Sequence, residues 1–130
     1  SYSNRIKHTR VKKFSFQLNN NGNHERDFTY VKDVVSVLMK LLKKEKKLKR
    51  FDLFNVCSNN PINLLKVITF FKKNRINPKI KNIKLNKADV LKTHGNNKKL
   101  IKTIGLIKFT NTNVALINTF KWYKKNINFF

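Results

Sequence analysis

The feature that most constrains this chain is a hydrophobic period that switches between two and three-and-a-half residues along its length. Phe14-Ser15-Phe16-Gln17-Leu18 alternates apolar and polar residues, the pattern of a half-buried strand. Asn19-Asn20-Asn21-Gly22-Asn23 follows, and its residue types tolerate positive φ and mark a turn. Val34, Val35, Leu38, Leu41 and Leu42 then share one helix face, with Asp33 placed to cap it. The helix dissolves into the cationic run Lys43–Arg50. Phe51–Cys57 reads as a strand with a buried look, and Asn63 opens a second helix carrying Leu64, Leu65, Val67, Ile68 and Phe71, which Asn77-Pro78 ends. Ile80, Ile83 and Leu85 lie in a Lys-rich stretch suited to an edge strand, where Lys discourages pairing between sheets. Residues 97–103 read as a short helix. Thr112 or Asn113 begins a last one, with Val114, Ile117, Phe120 and Trp122 turned inward. Short strands interleaved with three to four helices predict a small mixed α/β (α+β) fold.

A chain of 130 residues suits one domain. Its 11 Phe and its aliphatic runs argue against disorder in spite of a net charge of +24. No apolar stretch approaches the roughly 18 residues of a membrane span, and the first twenty residues are too polar for a secretory signal. The expectation is a soluble, cytoplasmic protein. Residues 1–13 are basic and without period, so a frayed start is expected before a domain over 14–126 and a tail at 127–130.

The charge points first to a polyanion, because basic clusters neutralise phosphate and release counterions. Of the 30 Lys and Arg, however, only Arg5, Arg10, Arg26, Arg50 and Arg75 are arginine, the side chain whose planar fork suits phosphate and guanine. Asn is abundant and Gly, Pro and Ala are scarce, so an A/T-rich coding bias accounts for most of the charge. A small nucleic-acid-binding protein stays open as a reading, carried by Lys43–Arg50 and the interleaved Phe residues.

Motifs for chemistry are missing. Gly22, Gly95 and Gly105 are isolated and form neither a dinucleotide fingerprint nor a phosphate loop. His8, His24 and His94 lack metal-ligand spacing, so no metal site is expected. The single Cys57 excludes an internal disulfide and a thiolate zinc site, and reads as a small core residue. Six scattered carboxylates make a paired-acid hydrolase hard to assemble.

Three blocks nevertheless resemble one family. Asn20-Asn21-Gly22-Asn23-His24-Glu25-Arg26-Asp27-Phe28-Thr29-Tyr30-Val31-Lys32-Asp33 is similar to N-G-x-x-x-R-D-F-T-Y-[IV]-D-D. Phe54-Asn55-Val56-Cys57-Ser58-Asn59-Asn60-Pro61-Ile62-Asn63-Leu64 is similar to Y-N-I-G-x-x-x-P-[IV]-x-L. Residues 87–100 (KADVLKTHGNNKKL) are similar to P-G-D-V-x-x-T-x-A-D-x-x-K-L, and Phe120-Lys121-Trp122-Tyr123 matches a closing F-x-W-Y helix. The family is that of the extended short-chain dehydrogenase/reductases, in its NAD-dependent nucleotide-sugar epimerase/dehydratase branch, UDP-glucuronate 4-epimerase-like. The resemblance runs over about residues 14–125 and covers the C-terminal third of a family member.

The resemblance implies the substrate-binding lobe of such an enzyme without its Rossmann domain. In the whole enzyme NAD oxidises C4, the 4-keto sugar rotates and the hydride returns to the other face, in sugar supply for surface polysaccharide. No cofactor site is expected in this chain, nor a catalytic residue, since Tyr2, Tyr30 and Tyr123 lack a Lys four residues on. The partners implied are a UDP-sugar and the missing Rossmann domain, with nucleic acid bound only non-specifically through charge. The lobe alone is expected to be inactive and monomeric.

Residue by residue, Arg26 stands at the arginine that reaches the nucleotide diphosphate, and a guanidinium fork suits two phosphate oxygens. Asp89 matches the carboxylate that accepts from the ribose, with a plain turn aspartate as the alternative. Asn86 stands where relatives carry Gln or Arg, and the backbone of Gln17, Leu18 and Asn19 matches the segment lining the uracil. Asp27, Thr29 and Tyr30 are expected to brace the lobe, while Phe28 and Trp122 are core candidates. Lys32, Lys87-Ala88 and Asn96 depart from the family pattern, and residues 1–11 do not resemble the helix expected before Phe14. That mismatch leaves a truncated or decayed, non-functional gene fragment as a further reading.

Overall fold

The computed structural model describes residues 15–74, 76 and 79–126. The readings made for residues 1–13, Phe14, Asn77-Pro78 and 127–130 lie outside those residues. Strand β1 (Ser15–Asn19) pairs in parallel with β4 (Lys79–Ile83), Ser15 opposite Lys79 and Asn19 opposite Ile83. Parallel neighbours need a long crossover. Here it contains β2 (Glu25–Arg26), α1 (Val31–Leu42), β3 (Ile62–Asn63) and α2 (Leu64–Lys73). Helices α3 (Lys98–Ile104) and α4 (Thr112–Asn126) complete the small mixed α/β fold. Both β1 and β4 are edges of a two-stranded sheet, which suits Lys79 and Lys81.

The turn after β1 is built from left-handed residues: Asn20, Asn21 and Gly22 have φ of 47, 53 and 79°. Asn tolerates that region and Gly adopts it freely. At Gly22 a side chain is also excluded by space, because a Cβ there would lie 2.7 Å from Leu65 Cδ2. The chain then enters β2, which pairs antiparallel with β3, Glu25 opposite Asn63. On its other side runs the segment 91–93, where Glu25 N donates to Leu91 O at 2.8 Å and Thr93 N to Glu25 O at 3.1 Å. This narrow ribbon is what brings residue 89 beside residue 26.

Asn63 caps α2 as its sequence position predicts, accepting from Leu65 N at 2.8 Å. The core is small. Val37 of α1 and Leu100 and Ile104 of α3 are buried together, with Leu41, Phe54, Val56 and Ile107 packed around them. Helix α2 turns Val67 and Ile68 inward, and Phe70 meets Phe120 of α4 edge-on at 6.4 Å.

Five expectations are corrected. Residues 51–57, expected as a strand, form no ladder among the described residues, because both short sheets lie elsewhere. Phe51 and Leu53 are 85% and 82% exposed, whereas Cys57 is buried. The segment is held instead by Lys99, which donates to the Asp52 carboxylate and, at 2.8 Å, to Leu53 O. Asp33 does not cap α1; Tyr30 holds that position. The Asp33 carboxylate accepts from Thr110 N at 2.9 Å and Thr110 Oγ1 at 2.8 Å, which ties α1 to the chain entering α4. Its charge still lies in the first turn, where the helix dipole favours an anion.

Helix α4 buries none of its residues, and Val114, Ile117 and Trp122 are exposed. Its apolar residues run consecutively, Val114-Ala115-Leu116-Ile117, and at roughly 100° per residue they spread around the helix instead of lining one face. Phe28, also expected in the core, is exposed. On α1, too, Val35, Leu38 and Leu42 are exposed while Val34 and Leu41 are half-buried, so the predicted face is split by the one buried residue, Val37.

Candidate nucleotide site

Three separate segments converge on Arg26. The guanidinium Nη1 donates to Glu25 O at 2.9 Å and to Leu91 O at 3.4 Å. Nη2 donates to Asp89 Oδ1 at 3.1 Å and lies 3.0 Å from His24 Nδ1. Asn19, at the end of β1, donates from Nδ2 to Asp89 Oδ2 at 3.1 Å. Arg26, Asp89 and Asn19, all chosen from sequence, therefore form one connected group. Both members of the ion pair are about three-quarters buried, at 26% and 25% exposure. A charge-assisted bond in such a setting is less screened than a surface pair. Among the described residues Nε–H of Arg26 has no hydrogen-bond partner, which leaves it and the second lone pairs of the Asp89 oxygens for a ligand.

Asn86 closes the turn ahead of Asp89. Its Oδ1 accepts from Ala88 N and its backbone O from Asp89 N, each at 3.0 Å. This is an Asx turn, in which a side-chain acceptor closes a bend otherwise formed by backbone. It supplies the bend ahead of Asp89 where Lys87-Ala88 stands for Pro-Gly, so Asn86 presents Asp89 from one turn away. Gln17 is exposed and Leu18 buried, and the backbone of residues 17–19 is paired with Lys81, Asn82 and Ile83.

A second polar group lies directly behind the first. Asp27 accepts from Ser58 Oγ at 2.5 Å, Gly95 N at 3.0 Å, Asn59 N at 3.1 Å and Asn60 N at 3.4 Å. Desolvation works to raise its pKa, but the donors of Ser58, Gly95, Asn60 and Asn59 together hold it below the ordinary aspartate value. Thr29 Oγ1 accepts from Ser58 N at 3.2 Å, and Tyr30 O accepts from Asp33 N and Val34 N. Asp27, Thr29 and Tyr30 thus brace the fold. Cys57 packs on Gly95, and burial, then the Asp27 carboxylate, pushes its thiol above the usual value. That is the setting of a packed thiol and not of a nucleophile.

The sequence presents His24 only as a possible metal ligand. It is buried, at 3% exposure, beside Arg26 and with its Nδ1 3.7 Å from Asp89 Oδ2. The available signal was spacing: residues i and i+2 of an extended segment point to one side, so His24 shares the side of Arg26. Among the described residues no three His, Cys, Asp or Glu lie together as metal ligands, and no helix is long and apolar enough to cross a membrane.

Residues 1–57 match the NAD dependent epimerase/dehydratase family. Uncharacterized protein MJ1055 of Methanocaldococcus jannaschii is 30% identical over 109 residues, which cover 82% of this chain and 32% of that protein. Among solved structures, MoeE5 in complex with UDP-glucuronic acid and NAD superposes with a TM-score of 0.73 at 19% identity, over 86% of this chain and 37% of that one. UDP-glucose 4-epimerase from Bifidobacterium longum, in complex with NAD+ and UDP, gives 0.69 at 17% identity, over 88% and 36%. The fold therefore matches part of these larger structures, and the chain spans about a third of the length of the curated relative it matches.

Proposed function

We propose that this chain belongs to the NAD-dependent nucleotide-sugar epimerases/dehydratases and is the lobe that holds the nucleotide of a UDP-sugar. The observation that carries the reading is the convergence of Arg26, Asp89 and Asn19 from three segments, with Arg26 Nη2 donating to Asp89 Oδ1 at 3.1 Å. In this reading Arg26 offers its Nε–H and its positive charge to the diphosphate, Asp89 accepts from the ribose hydroxyls, and the backbone of Gln17, Leu18 and Asn19 lines the uracil. Asn86 acts through Asp89. A UDP-glucuronate 4-epimerase-like substrate and a role in polysaccharide sugar supply are the finer parts of the proposal, as is work in the cytoplasm.

The described residues do not fit NAD. Gly22 closes a turn against Leu65, Gly95 packs on Cys57, and Gly105 follows α3. None joins a strand to a helix N-terminus, the geometry that receives a pyrophosphate. In this reading the cofactor chemistry belongs to a Rossmann domain, and this lobe holds the nucleotide. The exposed outer side of α1 supports such a partner: Val31, Val35, Leu38, Met39 and Leu42 lie on it, between 52% and 65% exposed.

A two-dimensional NMR titration of the chain with UDP tests the reading. Shifts concentrated at Asn19, Arg26 and Asp89 are expected. No shift there at millimolar UDP sinks it, and tight binding to RNA or DNA with a steep salt dependence would replace it by the nucleic-acid reading.

A further inference from the structure

Resting on the nucleotide-site reading, we infer that His24 is a positioning residue that fixes the Arg26 guanidinium for the diphosphate. A guanidinium has donors only, so the 3.0 Å contact from Arg26 Nη2 requires His24 Nδ1 to be the acceptor. In a neutral imidazole the proton then sits on Nε2. That atom is buried and has no hydrogen-bond partner among the described residues.

A buried polar atom without a partner is unfavourable, and an apolar side chain of similar size avoids the cost. The imidazole contributes instead through its other nitrogen. Nη2 is shared between Asp89 Oδ1 on one side and His24 Nδ1 on the other, while Nη1 is fixed by two backbone carbonyls. With all four Nη contacts in place the fork cannot rotate, and Nε–H keeps one direction. His24 itself is rigid, because its N donates to Gly22 O and its O accepts from Leu64 N, each at 2.8 Å. The same turn that demands glycine at residue 22 thereby aims Arg26.

The expected signature separates positioning from packing. His24→Leu removes the acceptor and the unpartnered Nε2 together. It should melt no lower than the parent, weaken UDP binding about tenfold, and leave binding of uridine, which lacks phosphate, unchanged. His24→Asn places an amide oxygen near the Nδ1 position and should restore UDP affinity to within about threefold of the parent. Equal UDP affinity in His24→Leu and the parent overturns the inference, as does an equal loss for UDP and uridine. A long-range ¹H–¹⁵N spectrum of the free chain decides the contact without any nucleotide: an unprotonated Nδ1 with a protonated Nε2 supports it, and the opposite tautomer overturns it. If the parent shows no response to UDP, the nucleotide-site reading fails while the spectrum still decides the His24–Arg26 contact. Should His24→Leu not fold, His24→Asn and the spectrum carry the test.

Discussion

The ribbon around β2 and the outer side of α1 are built on opposite principles. Around β2, Arg26 and Asp27 lie side by side in the sequence, and nearly every polar atom near them has a partner contributed by residues 58–60 or 89–95. Along α1, one buried valine, Val37, faces the core while five large apolar side chains face outward. Across the described residues seven hydrophobic residues are buried and seventeen large ones are exposed, which reverses the usual division between a closed apolar core and a polar surface. The fold is therefore held in large part by a polar knot, and its apolar faces stand open.

The largest effect is expected at the centre of that knot. Asp27→Ala leaves four donors without an acceptor and should lower stability by about 3 kcal/mol, measured by urea unfolding. The pH dependence gives a second reading of the same residue. Because the folded-state pKa of Asp27 is depressed, its contribution is fully present above the unfolded value of about 3.9 and is lost as pH falls through the folded one. Asp27→Asn should flatten that acid limb. An Asp27→Ala chain as stable as the parent would leave the knot without a centre.

Next in size is Gly95→Ala. A Cβ at residue 95 would lie 2.5 Å from Cys57 Cβ and closer still to Sγ, so overpacking should cost about 2 kcal/mol. Cys57→Gly opens the same space, and the double variant should recover most of the loss. The coupling, read from a double-mutant cycle, should then be favourable by more than about 1 kcal/mol. Additive effects would show that the two residues do not share the space.

How much of this was legible in the sequence follows the same division. Local signals were readable: the Asn63 cap, the left-handed turn at 20–22, the helices opening near 64, 98 and 112, and the edge character of β4. The convergence of Arg26 and Asp89 was legible only through resemblance, because their contact spans 63 residues and no local pattern encodes it. What failed were inferences from apolarity to burial. Phe51–Cys57 has the composition of a core strand, and Trp122 that of a core aromatic, but composition says that a residue prefers burial and not whether this chain supplies the cover. His24 was missed for a related reason, since a lone histidine announces a ligand role more readily than an acceptor role toward a neighbouring arginine.

The outer side of α1 should respond weakly, which sharpens the contrast. Val35→Ser combined with Leu38→Ser removes apolar groups that are 53% and 52% exposed, so stability should change by less than about 0.5 kcal/mol per site. Any concentration-dependent self-association in sedimentation should be weaker in the same pair, because a contiguous exposed apolar stripe favours it. A loss of stability as large as that of Asp27→Ala would mean that α1 packs on both sides.

The smallest effect is expected at a contact that looks prominent in the ribbon. Lys92 Nζ lies 2.7 Å from Glu25 Oε2, yet the side chains are 54% and 42% exposed. The Lys92 hydrogen bond, and then its charge, hold the Glu25 carboxyl below the ordinary glutamate range, so any contribution is present above that range and fades as pH falls through it. Exposed pairs are screened by salt and oppose their own side-chain entropy. Lys92→Met should accordingly leave the melting temperature unchanged at about 0.15 M salt while the Glu25 titration moves up toward its ordinary value. The backbone bonds of Glu25 to Leu91 and Thr93 are untouched by that substitution, and they, not the ion pair, keep segment 91–93 beside β2 and Asp89 within reach of Arg26. A clear drop in melting temperature would transfer that role from the backbone to the side chains.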